Sequence, residues 1–315
     1  MDHPEEHPDD VHQETQRGDR QEVLNAGVMA PAAEHLPPAP RVRMAAASAV
    51  NATRAVLASL QVHTVCQAAA CPNRWECFGQ HTATFLILGE ICTRACAFCN
   101  IRTGMPQPPD ADEPRRVAAA AKQLGLRYVV ITSVTRDDMA DGGAAQFAAT
   151  VQAVRACLPD AGIEVLTPDF QGDVRALGAV LAAQPTVFNH NLETVARLSP
   201  VLRSRAGYAR SLALLEHARR IAPRVPVKSG LMVGAGETDD EVQTALRDRR
   251  AAGCSLVTIG QYLAPSPRHH PVQAQITAAQ FTQYTAWARA LGFRGVACGP
   301  LVRSSYHAAA MNDER

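Results

Sequence analysis

Short apolar runs that alternate with helical segments constrain the fold of this chain more than any other feature. The runs are rich in β-branched residues, as buried strands are, and they span residues 82–88, 128–134, 163–167, 186–188, 225–232, 256–259 and 295–297. Strand–helix alternation of this length is typical of a parallel sheet, either open or curled into a barrel. Polar or glycine-containing residues follow nearly every run, at 92–99, 133–138, 168–169, 189–193, 228–229 and 261–262. Because parallel barrels collect their active sites at the carboxyl ends of the strands, this pattern favours a partial barrel with one pocket at its mouth.

Three of the intervening helices carry recognisable ends. A proline fits the first turn of a helix, a Thr followed three residues later by Glu or Gln forms a capping box, and a glycine closes the last turn. These signals predict helices between Pro114 and Gly125, between Thr238 and Gly253, and between Thr277 and Gly292, with Glu241 and Gln280 completing the two boxes.

Charge and hydropathy exclude several classes of function. The chain has 31 Lys and Arg against 30 Asp and Glu, so nothing in its net charge of +1 predicts a nucleic-acid partner. No apolar run approaches the roughly 18 residues of a membrane span, and the acidic start resembles neither a secretory signal nor a transit peptide, so we expect a cytoplasmic protein without a membrane partner.

Residues 1–40 are rich in Pro, Asp, Glu, Gln and His and are predicted to be a disordered tail. They contain nine acidic residues and two arginines, which leaves the rest of the chain modestly basic. A basic body would suit an acidic protein partner, although scattered surface charge has the same composition.

Six of the nine cysteines lie between Cys66 and Cys99, and in a long chain of this type such grouping indicates metal ligands rather than disulfides. Cys92-x3-Cys96-x2-Cys99 places three thiolates within eight residues. A [4Fe–4S] cube needs four ligands, so three cysteines would leave one iron open for a reactant. The alternative is a structural zinc knot without its fourth ligand, although structural zinc sites are normally closed.

A second incomplete group, Cys66-x4-Cys71-x5-Cys77, lies just upstream and fits no common zinc pattern. Two incomplete groups side by side predict two clusters, the alternative being one centre shared by all six thiolates. The remaining cysteines, Cys157, Cys254 and Cys298, lack partners at ligand spacing and are predicted to be small core hydrophobes.

The C-x3-C-x2-C motif resembles that of the radical S-adenosylmethionine (SAM) superfamily. It follows the first predicted strand and has Phe98 before its last cysteine. Together with the upstream group, it resembles the lipoyl synthase family. The resemblance covers about 245 residues, from His63 to Ala308, and it includes the runs 63–66, 71–73, 82–85, 129–134, 136–138, 168–170, 188–191, 193–194, 228–234, 260–263 and 299–308. Ala95, Ala97, Asn100, Thr135 and Pro267 depart from the family pattern without removing a ligand.

This resemblance implies a sulfurtransferase of lipoate biosynthesis and protein lipoylation. In the family, the open iron of one [4Fe–4S] cluster binds SAM, and reductive cleavage gives a radical that abstracts hydrogen from C6 and then C8 of a protein-bound octanoyl group. An auxiliary [4Fe–4S] cluster donates the two sulfur atoms. The implied partners are octanoylated lipoyl carrier domains or the glycine-cleavage H protein, and an electron donor such as flavodoxin or ferredoxin. Another radical SAM sulfur-inserting enzyme and a non-catalytic iron–sulfur paralogue remain alternatives.

The resemblance also assigns site residues. Cys92, Cys96 and Cys99 would hold the SAM cluster, and Cys66, Cys71 and Cys77 the auxiliary cluster, with Ser305 as its fourth ligand and Ser304 as the alternative. Strand-end position, rather than the resemblance, selects the polar residues that are expected to contact SAM together with Phe98: Ser133, Asp137, Asn189, Asn191, Glu193 and Lys228. The alternative for Lys228 is that its side chain simply snorkels to the surface. The expected layout is an N-terminal extension at 41–80, a partial (β/α)6-type TIM barrel at 81–298, and a C-terminal extension at 299–315 folded over the mouth from a turn at Gly299-Pro300.

Overall fold

A mostly parallel eight-stranded sheet lies at the centre of the computed structural model, which describes residues 45–79 and 83–313. The strands are β1 (His63–Thr64), β2 (Thr84–Ile87), β5 (Tyr128–Ser133), β6 (Gly162–Leu166), β7 (Val187–Asn189), β8 (Val227–Val233), β9 (Leu256–Gln261) and β10 (Gly295–Gly299), hydrogen-bonded in that order. β1 runs antiparallel to β2, and all other neighbours are parallel. In the described part of the chain, no pairing joins β1 to β10, so the barrel is open.

The predicted partial barrel is therefore confirmed, with seven parallel strands where a (β/α)6 barrel has six. Each predicted apolar run overlaps one of these strands, because Val, Ile, Leu and Phe side chains suit a sheet that is covered on both faces. The bounds of runs and strands differ by one or two residues: β8 begins two residues after position 225, and β9 and β10 each end two residues after their runs. Thr82, at the start of the first run, lies outside the described residues. The predicted tail at 1–40 also lies outside the described residues.

The helices that cover the sheet include α4 (Glu113–Gln123), α5 (Ala144–Cys157), α6 (Val174–Ala182), α7 (Ser199–Leu202), α8 (Tyr208–Ile221), α9 (Asp239–Ala251) and α10 (Ala278–Ala290). Along the outer layer α4 contacts α5, α5 contacts α6, and α6 contacts α8. No helix within the described ranges is long and apolar enough to cross a bilayer.

The predicted helix ends are confirmed. Pro114 lies in the first turn of α4, and both capping boxes form, with the Thr238 hydroxyl accepting from the Glu241 backbone N–H and the Thr277 hydroxyl accepting from that of Gln280. Gly125, Gly253 and Gly292 follow the last turns with positive φ angles, which a residue without a Cβ adopts freely.

Two extensions flank the barrel. The N-terminal one contains α1 (Ala47–Ser59), β1, α2 (Val65–Ala68) and α3 (Arg74–Gly79), and the Thr53 hydroxyl of α1 donates to the Phe78 carbonyl of α3 at 2.7 Å. The C-terminal one leaves β10 and ends in α11 (Ala308–Asp313). A separate two-stranded ribbon, β3 (Ile91–Cys92) and β4 (Arg102–Thr103), brackets the loop that carries the C-x3-C-x2-C motif.

Candidate active site

A cavity of about 560 Å³ opens at the carboxyl ends of the parallel strands. It is lined by residues that follow β5, β6, β7 and β9, by the β3–β4 loop, and by both extensions. Five of the six cysteines predicted to be cluster ligands face it: Cys66, Cys71, Cys92, Cys96 and Cys99. The fold therefore brings two cysteine groups from different parts of the structure to a single mouth.

The C-x3-C-x2-C loop is fixed through its first cysteine. The backbone N–H groups of Arg94 and Thr135 donate to Cys92 Sγ at 3.4 and 3.3 Å, and the Thr93 N–H donates to the Thr135 carbonyl at 3.1 Å. These two donors fix the position of the Cys92 sulfur. Since Thr135 acts through its backbone, its departure from the family pattern leaves these contacts in place.

Arg94, which sequence reasoning missed, clamps the same loop to the barrel. Its guanidinium donates to both carboxylate oxygens of Asp137 at 2.7 Å and to Asp169 Oδ1 at 2.7 Å. Burial alone would raise the pKa of Asp169, but the hydrogen bond and charge of Arg94 outweigh it and hold the pKa below its ordinary value. The signal was available, because an arginine between two cysteine ligands is rarely left without an acidic partner when it is buried.

The upstream group forms on two short helices. Cys66 lies on α2 and Cys77 on α3, with Cys71 in the turn between them. Burial raises the pKa of the Cys66 thiol to about 11 and that of Cys77 to about 12. Neighbouring thiols raise them further: Cys71 acts on Cys66, and both of these act on Cys77. All three thiols are therefore protonated at neutral pH in the free protein, and metal binding has to release those protons.

Two thiols of the C-x3-C-x2-C group have pKa values that are raised in the same way. Burial raises the pKa of Cys99 to about 12, and the charges of Cys96 and Cys92 add to the shift. Burial also raises the pKa of Cys96. Within the described ranges, no three His, Cys, Asp or Glu side chains converge on a point suited to a single metal ion.

Four of the seven predicted SAM contacts line the cavity: Phe98, Ser133, Asn191 and Glu193. Ser133 Oγ and Asn191 Oδ1 are buried and have no hydrogen-bond partner among the described residues. Buried polar atoms normally have a partner, so these two fit a polar ligand such as SAM.

The structure places the other three elsewhere. Asp137 is the partner of Arg94 and does not line the cavity. Lys228 is fully buried inside the barrel, where Nζ contacts the two Glu164 carboxylate oxygens at 3.0 and 3.1 Å. Asn189 Nδ2 donates to the same carboxylate at 2.9 Å. Lys228 is the second residue of β8, so the strand carries it below the mouth rather than into it.

Electrostatics at the back of the cavity centre on Glu193. Burial raises the pKa of this carboxyl group, while Arg203 opposes the shift and Asn191 Nδ2 donates to Oε1 at 3.0 Å. Arg203, a second residue that the sequence did not reveal, reaches the cavity from the end of α7. His190 is neutral, since burial lowers its pKa to about 4; its Nδ1–H donates to the Thr167 carbonyl at 2.8 Å.

The C-terminal extension crosses the mouth, as predicted. Ser304 and Ser305 both line the cavity, and Ser304 Oγ accepts a hydrogen bond from Asn191 Nδ2 at 2.6 Å. The Leu301 carbonyl accepts from Asn73 Nδ2 at 2.7 Å. The segment thus contacts both the barrel and the stretch between Cys71 and Cys77.

The loop that contains Pro267 contacts the C-x3-C-x2-C motif. The His269 Nε2–H donates to the Cys99 carbonyl at 3.2 Å, and the backbone N–H of His270 donates to the Ala97 carbonyl at 2.9 Å. This loop therefore positions the backbone of the motif.

Among the other cysteines, Cys254 is buried, as predicted for a core hydrophobe, and Cys298 is half-buried. The prediction for Cys157 is wrong, because this residue is exposed at the end of α5. Cys157 is the last residue of α5 and is not among the residues that this helix buries.

Known proteins resemble this chain in sequence. The sequence profile of the radical SAM superfamily matches residues 86–248. A lipoyl synthase of Oleidesulfovibrio alaskensis is 54% identical over 280 residues, which cover 89% of this chain and 96% of the relative. A lipoyl synthase of Trichlorobacter lovleyi is 58% identical over 259 residues, which cover 82% and 92% respectively.

Solved structures share the fold at low identity. Methylornithine synthase superposes with a TM-score of 0.55 at 17% identity, covering 78% of this chain and 74% of its own. HydG, a maturase of the [FeFe]-hydrogenase, gives 0.54 at 12% identity, covering 68% and 52%. The structural matches support the open barrel, and the full-length sequence matches specify the family: this chain belongs to the lipoyl synthase family of radical SAM enzymes.

Proposed function

We propose that this sulfurtransferase uses two separate [4Fe–4S] clusters, one held by Cys92, Cys96 and Cys99 and the other by Cys66, Cys71 and Cys77. As a lipoyl synthase, it binds SAM and an iron–sulfur cluster and inserts sulfur at C6 and C8 of an octanoyl group carried by a protein. The observation that carries the two-cluster arrangement is the position of the two cysteine groups, one on the β3–β4 loop and the other on α2, α3 and the turn between them, at the mouth of one cavity.

The clusters and SAM supply the radical and sulfur chemistry, which an unactivated C–H bond requires because it has no acidic proton. The chain itself binds and orients the reactants and excludes water from them. Ser133 and Asn191 offer buried polar atoms to SAM, and Phe98 offers an aromatic surface beside them. Arg94 holds the cysteine loop against the strand ends.

The lining also suits an alkyl substrate. Apolar side chains from several elements face the cavity, including Leu166, Leu231, Leu263 and Val302. Burying an octanoyl chain against them is favourable by roughly 0.8 kcal/mol per methylene group. The same surface keeps water from a reactive intermediate.

The carrier would be an octanoylated lipoyl domain or the glycine-cleavage H protein, and a flavodoxin or ferredoxin would deliver electrons. We place the protein in the cytoplasm, where cysteines remain reduced and available to iron. All nine cysteines are free thiols in the structure, in keeping with that location.

The test is anaerobic reconstitution followed by iron and sulfide counting. We expect about eight iron atoms per chain, four for each cube. Cys96→Ala should abolish the formation of 5′-deoxyadenosine from SAM, whereas Cys71→Ala should retain it and lose lipoyl formation. Cys157→Ala, on the exposed end of α5, is the matched control. About four iron atoms in the parent protein, or equal loss of SAM cleavage in both folded variants, would contradict the two-cluster arrangement.

Ser305 is the proposed fourth ligand of the auxiliary cluster. An alkoxide is a harder partner for iron than a thiolate and should leave more readily, so Ser305→Cys should assemble the cluster but block sulfur transfer. SAM cleavage should persist. Normal lipoyl formation by Ser305→Cys, alongside its loss in Ser304→Cys, would move the ligand to Ser304; normal product from both would remove the serine from the mechanism.

A further inference from the structure

We propose that Asn191 and Ser304 form a latch that holds the C-terminal segment 301–306 across the mouth before any cluster is bound, so that Ser305 is presented to the auxiliary cysteines. The inference rests on the proposed role of Ser305. It assigns different tasks to the two adjacent serines: Ser304 positions, and Ser305 binds iron.

The first observation is the hydrogen bonding of Asn191. Its side chain is only 8% exposed, and its amide donates to Ser304 Oγ at 2.6 Å and to Glu193 Oε1 at 3.0 Å. The bond to Ser304 joins residues 113 positions apart in the sequence. Leaving a buried amide without such a partner costs the full desolvation free energy of the unpaired group. The contact therefore favours one fixed position of the segment.

The second observation is the absence of side chains where the segment docks. A Cβ at Gly230 on β8 would lie 2.6 Å from Asn191 Oδ1 and 2.8 Å from Ser304 Oγ. A Cβ at Gly260 on β9 would lie 2.1 Å from the Val302 carbonyl oxygen. All three distances are too short for any side chain, so two neighbouring strands leave space for this segment.

The third observation is anchoring on the opposite side. The Leu301 carbonyl accepts from Asn73, and the Tyr306 hydroxyl donates to Glu76 Oε2 at 3.1 Å. Asn73 and Glu76 both lie between Cys71 and Cys77. Ser305 therefore sits between one residue tied to the barrel and another tied to the helix that carries Cys77.

The hydroxyl of Ser305 makes no hydrogen bond to the described residues, while that of Ser304 is engaged. A latch on Ser304 keeps the segment in place whether or not Ser305 is bound to iron. Detachment of Ser305 would then be a local event that leaves the surrounding backbone where it was.

The test uses hydrogen exchange in the metal-free, SAM-free full chain. The backbone N–H groups of Val302 and Tyr306 donate to Gly299 and Arg303 carbonyls, so their exchange reports on the segment. We expect Ser304→Ala to accelerate exchange by about 2- to 10-fold, the effect of one lost hydrogen bond. Ser305→Ala, the matched control, should leave exchange unchanged.

A double-mutant cycle identifies the partner. Asn191→Ala combined with Ser304→Ala should accelerate exchange no more than either single variant, since both remove the same contact. After reconstitution, Ser304→Ala should lose auxiliary-cluster iron and sulfide while keeping SAM cleavage. Unchanged exchange in Ser304→Ala, or fully additive effects in the cycle, would overturn the latch. Because exchange is measured without metal, it is independent of the iron count that tests the two-cluster proposal.

Discussion

Replacing Lys228 with Met tests whether this residue stabilises the barrel or contacts SAM. The ammonium group is fully buried and contacts both oxygens of the Glu164 carboxylate. Removing it leaves a buried carboxylate without its counter-ion, which typically costs about 3–5 kcal/mol. Glu164 keeps two donors, the Tyr128 hydroxyl at 3.1 Å and the Asn189 amide at 2.9 Å, so we expect a loss near the lower end.

A loss of about 3 kcal/mol lowers the melting temperature by roughly 5 °C, because the unfolding entropy of a chain of 315 residues is about 0.7 kcal/mol/K. Circular dichroism on the metal-free protein measures it. The matched control is the double variant Lys228→Met/Glu164→Leu, which removes both charges and should recover most of the stability, because an apolar pair of similar volume can replace a buried ion pair.

SAM binding to the reconstituted variant decides between the two roles. Since Lys228 lies below the cavity, SAM affinity in the folded Lys228→Met protein should match that of the parent. A variant with the parent's melting temperature and no SAM binding would refute this reasoning and restore Lys228 to the cofactor site.

Two further predictions concern the tail and a buried imidazole. Deleting residues 1–40 should leave lipoyl formation nearly intact, because the segment has too little apolar content to offset an ordering cost of about 1–2 kcal/mol per residue; a large loss of turnover would show that the tail recruits the carrier or a metal. Burial, together with Arg203, lowers the pKa of His190 in the folded protein to about 4. Between pH 6.5 and 4 only the unfolded chain gains this proton, so the free energy of unfolding should fall as the pH drops through that range. His190→Gln should therefore flatten the dependence of the melting temperature on pH between 7 and 5, and an unchanged slope would contradict the assignment.

The strands and the cysteine groups could be predicted from the sequence because their signals are local. β-branched runs mark buried strands wherever they occur, and ligand spacing within ten residues is set by the chain itself. Arg203 could not be found in this way, since it reaches the cavity through α7, about a hundred positions after the motif it faces. Nothing near it in the sequence marks it as different from a surface arginine.

Lys228 shows why proximity to a strand end is not sufficient. The apolar run around it correctly predicted a strand, but β8 continues to Val233, so the mouth begins five residues later. Pairing of Lys228 with Leu256 at the start of β9 places it in the lower half of the barrel. Sheet register, which depends on neighbours distant in sequence, decides which polar residues reach a cavity.

Burial of Lys228 also gives the protein unusual surface chemistry. The chain has only two lysines, and the other, Lys122, is exposed in the last turn of α4. That helix runs back from the mouth, so its end lies beside the amino ends of the strands. Of the two lysines, only Lys122 would therefore react with amine-directed reagents in the folded protein. A fluorophore or a surface linker attached at Lys122 would sit on the face opposite the cavity and leave the approach of a carrier protein unobstructed.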